Sequence, residues 1–281
     1  NLIVNNDANL SIDDCEFKEI SEGCIKMEVK ENINIRASKF DNSETTEPIG
    51  SKTGIFVLDI IENSGEISIE DSEFINMKTT TLKSSDNTNS VCMTRCNFES
   101  QLEMKNRPFY SIVCTSQNQF SIISTVIGGS GGIYFESTTK FTREITINNI
   151  TITGSKYGII CHPTTEVESQ LKTFTLDKFT ISQTEEALNL KLCDFQVFIA
   201  HGHIENCDNQ LFRDNSASSN EKDHGIVEIT LNKDSQFNNV ILLEAKFENN
   251  VFWSLKDTQN CKGGGGSGFI ISTESTVEKE C

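Results

Sequence analysis

The side chains able to carry chemistry fall into four sets. In the first, Asp13-Asp14, Arg36-Ala37 and Glu70-Asp71 hold matching places in three successive segments. A lyase acting on a polyanionic sugar needs carboxylates grouped on neighbouring segments to hold calcium, and an Arg or Lys to take the proton. Glu70 and Asp71, with Arg36 as the base, are therefore the candidate catalytic residues; the plainer reading is carboxylates that are solvated or paired with Lys and Arg. In the second set, His201 and His203 stand two apart, and in a strand both would face one way. That makes half of a metal site, to which Cys207 would add a ligand; with no carboxylate close in sequence, the plainer reading is two surface imidazoles. No cofactor or metal is expected. The run Gly263 to Gly268 lacks the Lys-Ser/Thr of a phosphate loop and the Asp of a calcium-binding repeat.

The third set is 10 cysteines. Cys92 with Cys114 and Cys193 with Cys207 have separations suited to bridging a coil to its loop, and Cys261 with Cys281, which flank the glycine-rich segment, are the third candidate pair. Cys15 and Cys96 read instead as small core residues. Cys92-x3-Cys96 lacks a second pair or a nearby His, so structural zinc is not expected. An oxidising compartment suits the bridges, and it suits the glycosylation sequons at Asn9 and Asn149. The fourth set is aromatic: Phe109-Tyr110 after Pro108, and Phe252-Trp253, are candidates for contact with a sugar or a protein, with core packing as the plainer reading of Phe252-Trp253.

The 281 residues hold 24 Lys+Arg against 41 Asp+Glu, a net charge of -17. Such an excess of acid argues against phosphate-backbone binding to nucleic acid and against docking on an anionic leaflet. No apolar run approaches the roughly 20 residues of a membrane-spanning helix, so no direct membrane insertion is expected of this segment. Asn1 follows no charged-then-apolar leader, and Cys281 closes an acidic stretch; the chain is read as an excised ectodomain segment.

The elements that must position these side chains come from a repeat. Two apolar residues stand two apart, and a larger one follows seven after the first. The copies are Leu10-Ile12-Phe17, Ile33-Ile35-Phe40, Ile67-Ile69-Phe74, Val91-Met93-Phe98 and Phe120-Ile122-Ile127. Ile145-Ile147-Ile152, Phe174-Leu176-Ile181, Val197-Ile199-Ile204 and Val240-Leu242-Phe247 complete the series. The intervals between first anchors are 23, 34, 24, 29, 25, 29, 23 and 43 residues, short steps near 24 interrupted by loops. A second alternating strand follows most copies, as in Ile25-Met27-Val29 and Leu188-Leu190-Leu192. Short strands at this period predict a parallel β-solenoid whose coils stack so that equivalent bulky residues form interior ladders. The residue two before the large anchor is small (Cys15, Ser38, Ser72, Cys96, Ala245), which lets a narrow interior pack. Asn42, Asn76, Asn206 and Asn249 follow the large anchor by two and suit corners with left-handed backbone. Long loops are read at 42–54, 77–90, 100–111, 162–172 and 208–225, and insertions on one face of a solenoid often carry the partner site.

The Phe-x-Asn corners Phe40-Asp41-Asn42 and Phe247-Glu248-Asn249, with the Gly-rich steps Gly128 to Ile133 and Gly263 to Ile270, resemble the repeats of chlamydial polymorphic membrane proteins and of some protist surface proteins. The run Gly263 to Ser267 also matches a flexible linker of engineered type. The resemblance implies an all-β, single-stranded right-handed parallel β-helix (β-solenoid) of about nine to ten coils with irregular loops. It would form one domain over 1–281, extracellular or on the cell surface, adhesive and non-catalytic. Its partners would be a glycan or protein ligand, or copies of itself end to end, and not nucleic acid. Parallel β-helices also host pectate lyases and polygalacturonases, so an acidic-groove enzyme is the alternative. Ala200-His201-Gly202-His203 departs from a polygalacturonase's Gly-His-Gly step, and the Arg-x-Lys step is absent. A filament subunit is a third alternative, because an open solenoid end exposes unpaired strand edges.

Overall fold

The computed structural model describes residues 2–6, 8–18, 25–42, 58–62, 65–77, 80–84, 90–101, 110–114, 119–136, 144–162, 172–192, 195–208, 226–232, 239–251 and 269–274. The predicted long loops fall largely outside them, as do Phe109, Trp253, Cys193, Cys261, Cys281 and the run Gly263 to Gly268.

Strands follow one another in short steps. The first six are β1 (Leu2–Asn6), β2 (Leu10–Asp13), β3 (Glu16–Lys18), β4 (Ile25–Val29), β5 (Ile33–Arg36) and β6 (Lys39–Asp41). Next come β7 (Leu58–Glu62), β8 (Glu66–Glu70), β9 (Glu73–Ile75), β10 (Leu82–Lys83), β11 (Ser90–Thr94) and β12 (Asn97–Glu99). Then follow β13 (Tyr110–Cys114), β14 (Gln119–Ile123), β15 (Val126–Gly128), β16 (Gly132–Glu136), β17 (Glu144–Thr153) and β18 (Tyr157–His162). The last are β19 (Lys172–Ser182), β20 (Glu186–Leu192), β21 (Phe195–Glu205), β22 (Val227–Asn232), β23 (Asn239–Glu248) and β24 (Phe269–Glu274).

All pairing is parallel, and no helix occurs among the described residues. Sheet A runs β1-β4-β7-β10-β13-β16-β18-β20-β22-β24. Sheet B takes the strands between. Its first five rungs are split into two short strands (β2 with β3, up to β14 with β15), and its last four are the continuous β17, β19, β21 and β23. Each strand pairs with its equivalent one repeat on, an arrangement consistent with a β-solenoid. Register follows the repeat. The nine first anchors, Leu10, Ile33, Ile67, Val91, Phe120, Ile145, Phe174, Val197 and Val240, are successive Cα partners. So are the nine large anchors from Phe17 to Phe247.

Burial explains why this register wins. In β5, β8 and β11 the pattern alternates strictly, and slipping by one residue would turn every anchor outward. The interior is one apolar cluster, from Ile12 through the Phe40-Phe74-Phe98 ladder to Leu231. Phe17, Phe40, Phe74 and Phe98 stack face to face, with ring centroids 4.8, 4.9 and 4.7 Å apart. The small slot holds at Ser38, Ser72 and Cys96, which are buried. Their polar groups are not wasted: Ser38 and Ser72 hydroxyls donate to the carbonyls of Arg36 (2.9 Å) and Glu70 (2.8 Å), and Ser72 Oγ accepts from the Ser38 N–H at 3.2 Å. Cys15, read as a core residue, is exposed, because no rung precedes the first among the described residues. The slot does not stay small throughout. Ile150 and Phe179 occupy it further along, and Gly202 faces the Phe179 ring.

Every sheet B rung bends at one place. Four residues after each first anchor stand Asp14, Ala37, Asp71, Arg95, Ser124, Asn149, Lys178, His201 and Glu244, all with φ between 47° and 54°. L-residues enter this region at a cost of order 1 kcal/mol or more. Hydrogen bonding compensates: the N–H groups of Asp71, Arg95 and Ser124 each donate to the carbonyl of the next rung at 3.0 Å. A second corner uses Asn76, Asn206 and Asn249, as expected, together with Gln183, Gly129 and Gly154. Asn42, expected to act likewise, is buried and is not among the residues with positive φ.

Candidate functional site

The acidic patch is a charge ladder. Arg36 is the Cα partner of Glu70, as the repeat alignment requires. Its guanidinium turns to the other side: Nε–H and Nη2–H donate to Asp13 Oδ1 and Oδ2 at 3.1 and 2.8 Å. Asp71 in turn accepts from Arg95 Nε–H and Nη2–H at 2.6 and 2.8 Å, with Glu70 3.8 Å from Arg95. The bidentate bonds with Asp13 raise the Arg36 pKa, and those with Arg95 lower that of Asp71. A base that must give up its own proton before abstracting another needs the opposite shift.

His201 is also committed. A corner residue with φ 49°, it lies with His203 on the outer side of β21, as the spacing predicts, with Gly202 turned inward between them. Its Nδ1 lies 2.7 Å from Asp177 Oδ1 on the preceding rung, and its Nε2 lies 3.8 Å from Glu244 on the following one. Carboxylates thus reach it from the rungs on either side. Cys207 does not join the pair: it is buried, with Sγ 3.3 Å from Thr184 Oγ1. No cluster of three His, Cys, Asp or Glu able to hold a metal occurs among the described residues.

Two of the expected disulfides are not formed. Cys92 and Cys114 are both free thiols, because Cys92 points outward between Val91 and Met93 while Cys114 faces the core from sheet A. Cys207 is free as well, so it makes no bridge to Cys193. Burial pushes the Cys96 thiol up to about 11, and those of Cys114 and Cys161 higher still. The Cys261–Cys281 pair lies outside the described residues. Both sequon residues are exposed. Asn9 Oδ1 accepts from the Asn32 N–H at 3.0 Å, and Asn149 Nδ2 donates to Ser124 Oγ at 3.0 Å.

Tyr110 is the one aromatic candidate that falls among the described residues, and it has company. The chain has 3 tyrosines in all, and the fold gathers every one of them. In the middle of sheet A the inward residues are Ile112 and Cys114, Ile133 and Phe135, Ile159 and Cys161, Leu188 and Leu190. Alternation then aligns Val113, Tyr134, Ile160 and Asn189 on the other face. The Tyr110 ring stacks on Tyr134 at 4.8 Å and on Tyr157 at 5.1 Å, all three half-buried. Lys156 Nζ lies 5.4 Å from the Tyr157 centroid, and His162 meets Tyr134 edge-on at 6.2 Å.

A polar relay borders the stack. Asn189 Nδ2 donates to Glu186 Oε1, which leaves Asn189 Oδ1 to accept. Nε2 of His162, 3.1 Å from that oxygen, is therefore the protonated, donating nitrogen. Asn189 is 1% and Glu186 7% exposed, so their groups are fixed by these bonds rather than by water. Burial raises the Tyr110 phenol well above its usual range, with Tyr157, Glu186 and Tyr134 adding to the shift. It stays a neutral hydroxyl. Rings, hydroxyls and an amide relay are thereby gathered at one place. The spacing of the tyrosines, 24 and 23 residues, equals the repeat and is the signal by which Tyr134 and Tyr157 could have been found with Tyr110.

A scan against protein-family models and searches of the curated proteins and of the solved structures found no match.

Proposed function

We propose that this chain is a non-catalytic, secreted or cell-surface right-handed parallel β-helix of nine to ten coils, acting as an adhesin or interaction scaffold. The Tyr110-Tyr134-Tyr157 stack is its contact surface for a glycan or a protein. One observation carries the reading: all three tyrosines, each half-buried, stack together beside a fixed polar relay. Tyr combines apolar area with a hydroxyl and is enriched at protein interfaces. The adhesive role itself comes from the resemblance to polymorphic membrane protein repeats, and Asn9 and Asn149 are its proposed glycosylation sites. An acidic-groove lyase fits less well, since Arg36 and Asp71 are engaged in ion pairs with other partners.

The test is a glycan array and a cell-surface binding assay, run beside a lyase assay on acidic polysaccharides with calcium. Tyr134→Ala is expected to weaken binding about tenfold or more, the ~1.4 kcal/mol of a modest hot spot, with the circular dichroism unchanged. Product from the polysaccharides, or binding indifferent to both Tyr134→Ala and Tyr157→Ala, would overturn it.

A further inference from the structure

Among the described residues the exposed large apolar side chains fall in two places. One is β23 with Val251 just beyond it, where the described part of sheet B ends. The other is Ile123 and Val126, 37% and 44% exposed, which flank the corner residue Ser124. This pair sits in the middle of the sheet. Ile123 is the Cα partner of Thr94 on one side and Asn148 on the other, and Val126 that of Asn97 and Thr151. Its exposure therefore owes nothing to a missing rung, and the neighbouring rungs place polar residues where these two stand. An apolar pair left in water on such a face calls for a cover.

The sequon Asn149-Ile150-Thr151 lies on the next rung, against the same pair. Ile150 is buried, Asn149 is exposed and Thr151 stands beside Val126. Asn149 is the corner residue of β17, and its Nδ2 donates back to Ser124 Oγ at 3.0 Å. Equivalent corners show where such a side chain leads. Arg95 lies 3.8 Å from Glu70, and His201 lies 2.7 Å from Asp177. In both cases the partner is the residue just before the corner of the preceding rung. For Asn149 the residue in that place is Ile123.

We propose that Asn149 carries an N-linked glycan whose first sugar packs over Ile123 and Val126 and stabilises the fold there. The inference rests on the reading of the chain as secreted. The donor is a lipid-pyrophosphate oligosaccharide: the bond from sugar C1 to the pyrophosphate breaks, a C1–Nδ2 bond forms, the lipid pyrophosphate leaves with the bonding electron pair, and Nδ2 gives up one proton. One N–H stays on Nδ2, so the donor to Ser124 Oγ is kept. The first sugar, an N-acetylglucosamine, turns its acetamide methyl and apolar ring face to the two side chains and its hydroxyls to water. Apolar area is thereby removed from water without a second chain.

The whole chain, secreted from a eukaryotic host behind a fused leader, is followed by peptide mass spectrometry and thermal unfolding. Because the leader supplies entry to the pathway, failure here is separate from failure of the binding assays of the proposed function. A glycan is expected on Asn149 and none in Thr151→Val, which leaves Asn149 and its corner in place. The glycosylated chain should unfold at least about 2 °C above Thr151→Val. Trimming to a single N-acetylglucosamine should keep that gain. In the background Ile123→Ser, Val126→Ser the same comparison should show no gain, since the cycle isolates the contact from the effect of Thr151→Val itself. A secreted chain with Asn149 bare would overturn the proposal. So would a gain that survives the two serine substitutions, or one that vanishes when only the outer sugars are trimmed.

Discussion

Phe74→Ala is expected to lower the unfolding free energy by about 3–5 kcal/mol, among the largest costs of any single core truncation. The Phe74 ring is fully buried and sandwiched between Phe40 and Phe98, at 4.9 and 4.7 Å, so its removal leaves a void with a ring on either side. Rungs that contact only their neighbours cannot collapse to fill it, since each is held in register by the strands above and below. The loss should spread along the axis. Amide exchange in β6 and β12, whose Phe40 and Phe98 flank the void, should accelerate before exchange in β21 does. Phe74→Leu should recover most of the stability. A loss under about 1 kcal/mol for Phe74→Ala would mean the ladder is not a packed spine.

Gly202→Ala should cost about 1–3 kcal/mol although it adds only one methyl group. A Cβ at this position would come closer than 3.0 Å to three carbons of the Phe179 ring, which is itself buried. The backbone there is not in the left-handed region, so the penalty is one of volume alone. Volume can be exchanged between the two positions. In the double variant Phe179→Leu, Gly202→Ala the losses should therefore not add, leaving a favourable coupling of about 1 kcal/mol or more. Strict additivity in guanidinium unfolding would separate the two side chains and contradict the packing.

Much of this fold was legible because a solenoid repeats its chemistry. Anchors such as Ile67, Ile69 and Phe74 recur with a spacing that survives loops of any length, and their columns pair as aligned. The second corner was legible in its asparagines; the first bend of each rung was not. Nine corner residues adopt positive φ, yet they include Ala37, Arg95, Lys178 and Glu244, types that give no local sign of it. The inter-rung hydrogen bonds that hold them exist only once neighbours stack. Ion pairs escaped for the same reason. Arg36 lines up with Glu70 by register but reaches back to Asp13, a choice made by side-chain geometry. His201 looked isolated because its carboxylates lie 24 and 43 residues away. The tyrosine cluster was partly visible, with Tyr110 singled out beside Phe109 and its two stacking partners overlooked.

The register of the stacked rungs can be read chemically. Ser68 and the free thiol Cys92 are Cα partners on β8 and β11, both on the outer face. Paired strands lie about 4.7–4.9 Å apart, within the roughly 4.4–6.8 Å that a disulfide spans. Mild oxidation of the Ser68→Cys variant, followed by peptide mass spectrometry, should yield a cross-link to Cys92. Glu70→Cys, displaced two residues along the same strand, should yield none. Cross-linking from Glu70→Cys but not from Ser68→Cys would contradict the parallel, anchor-to-anchor stacking on which the whole molecule is built.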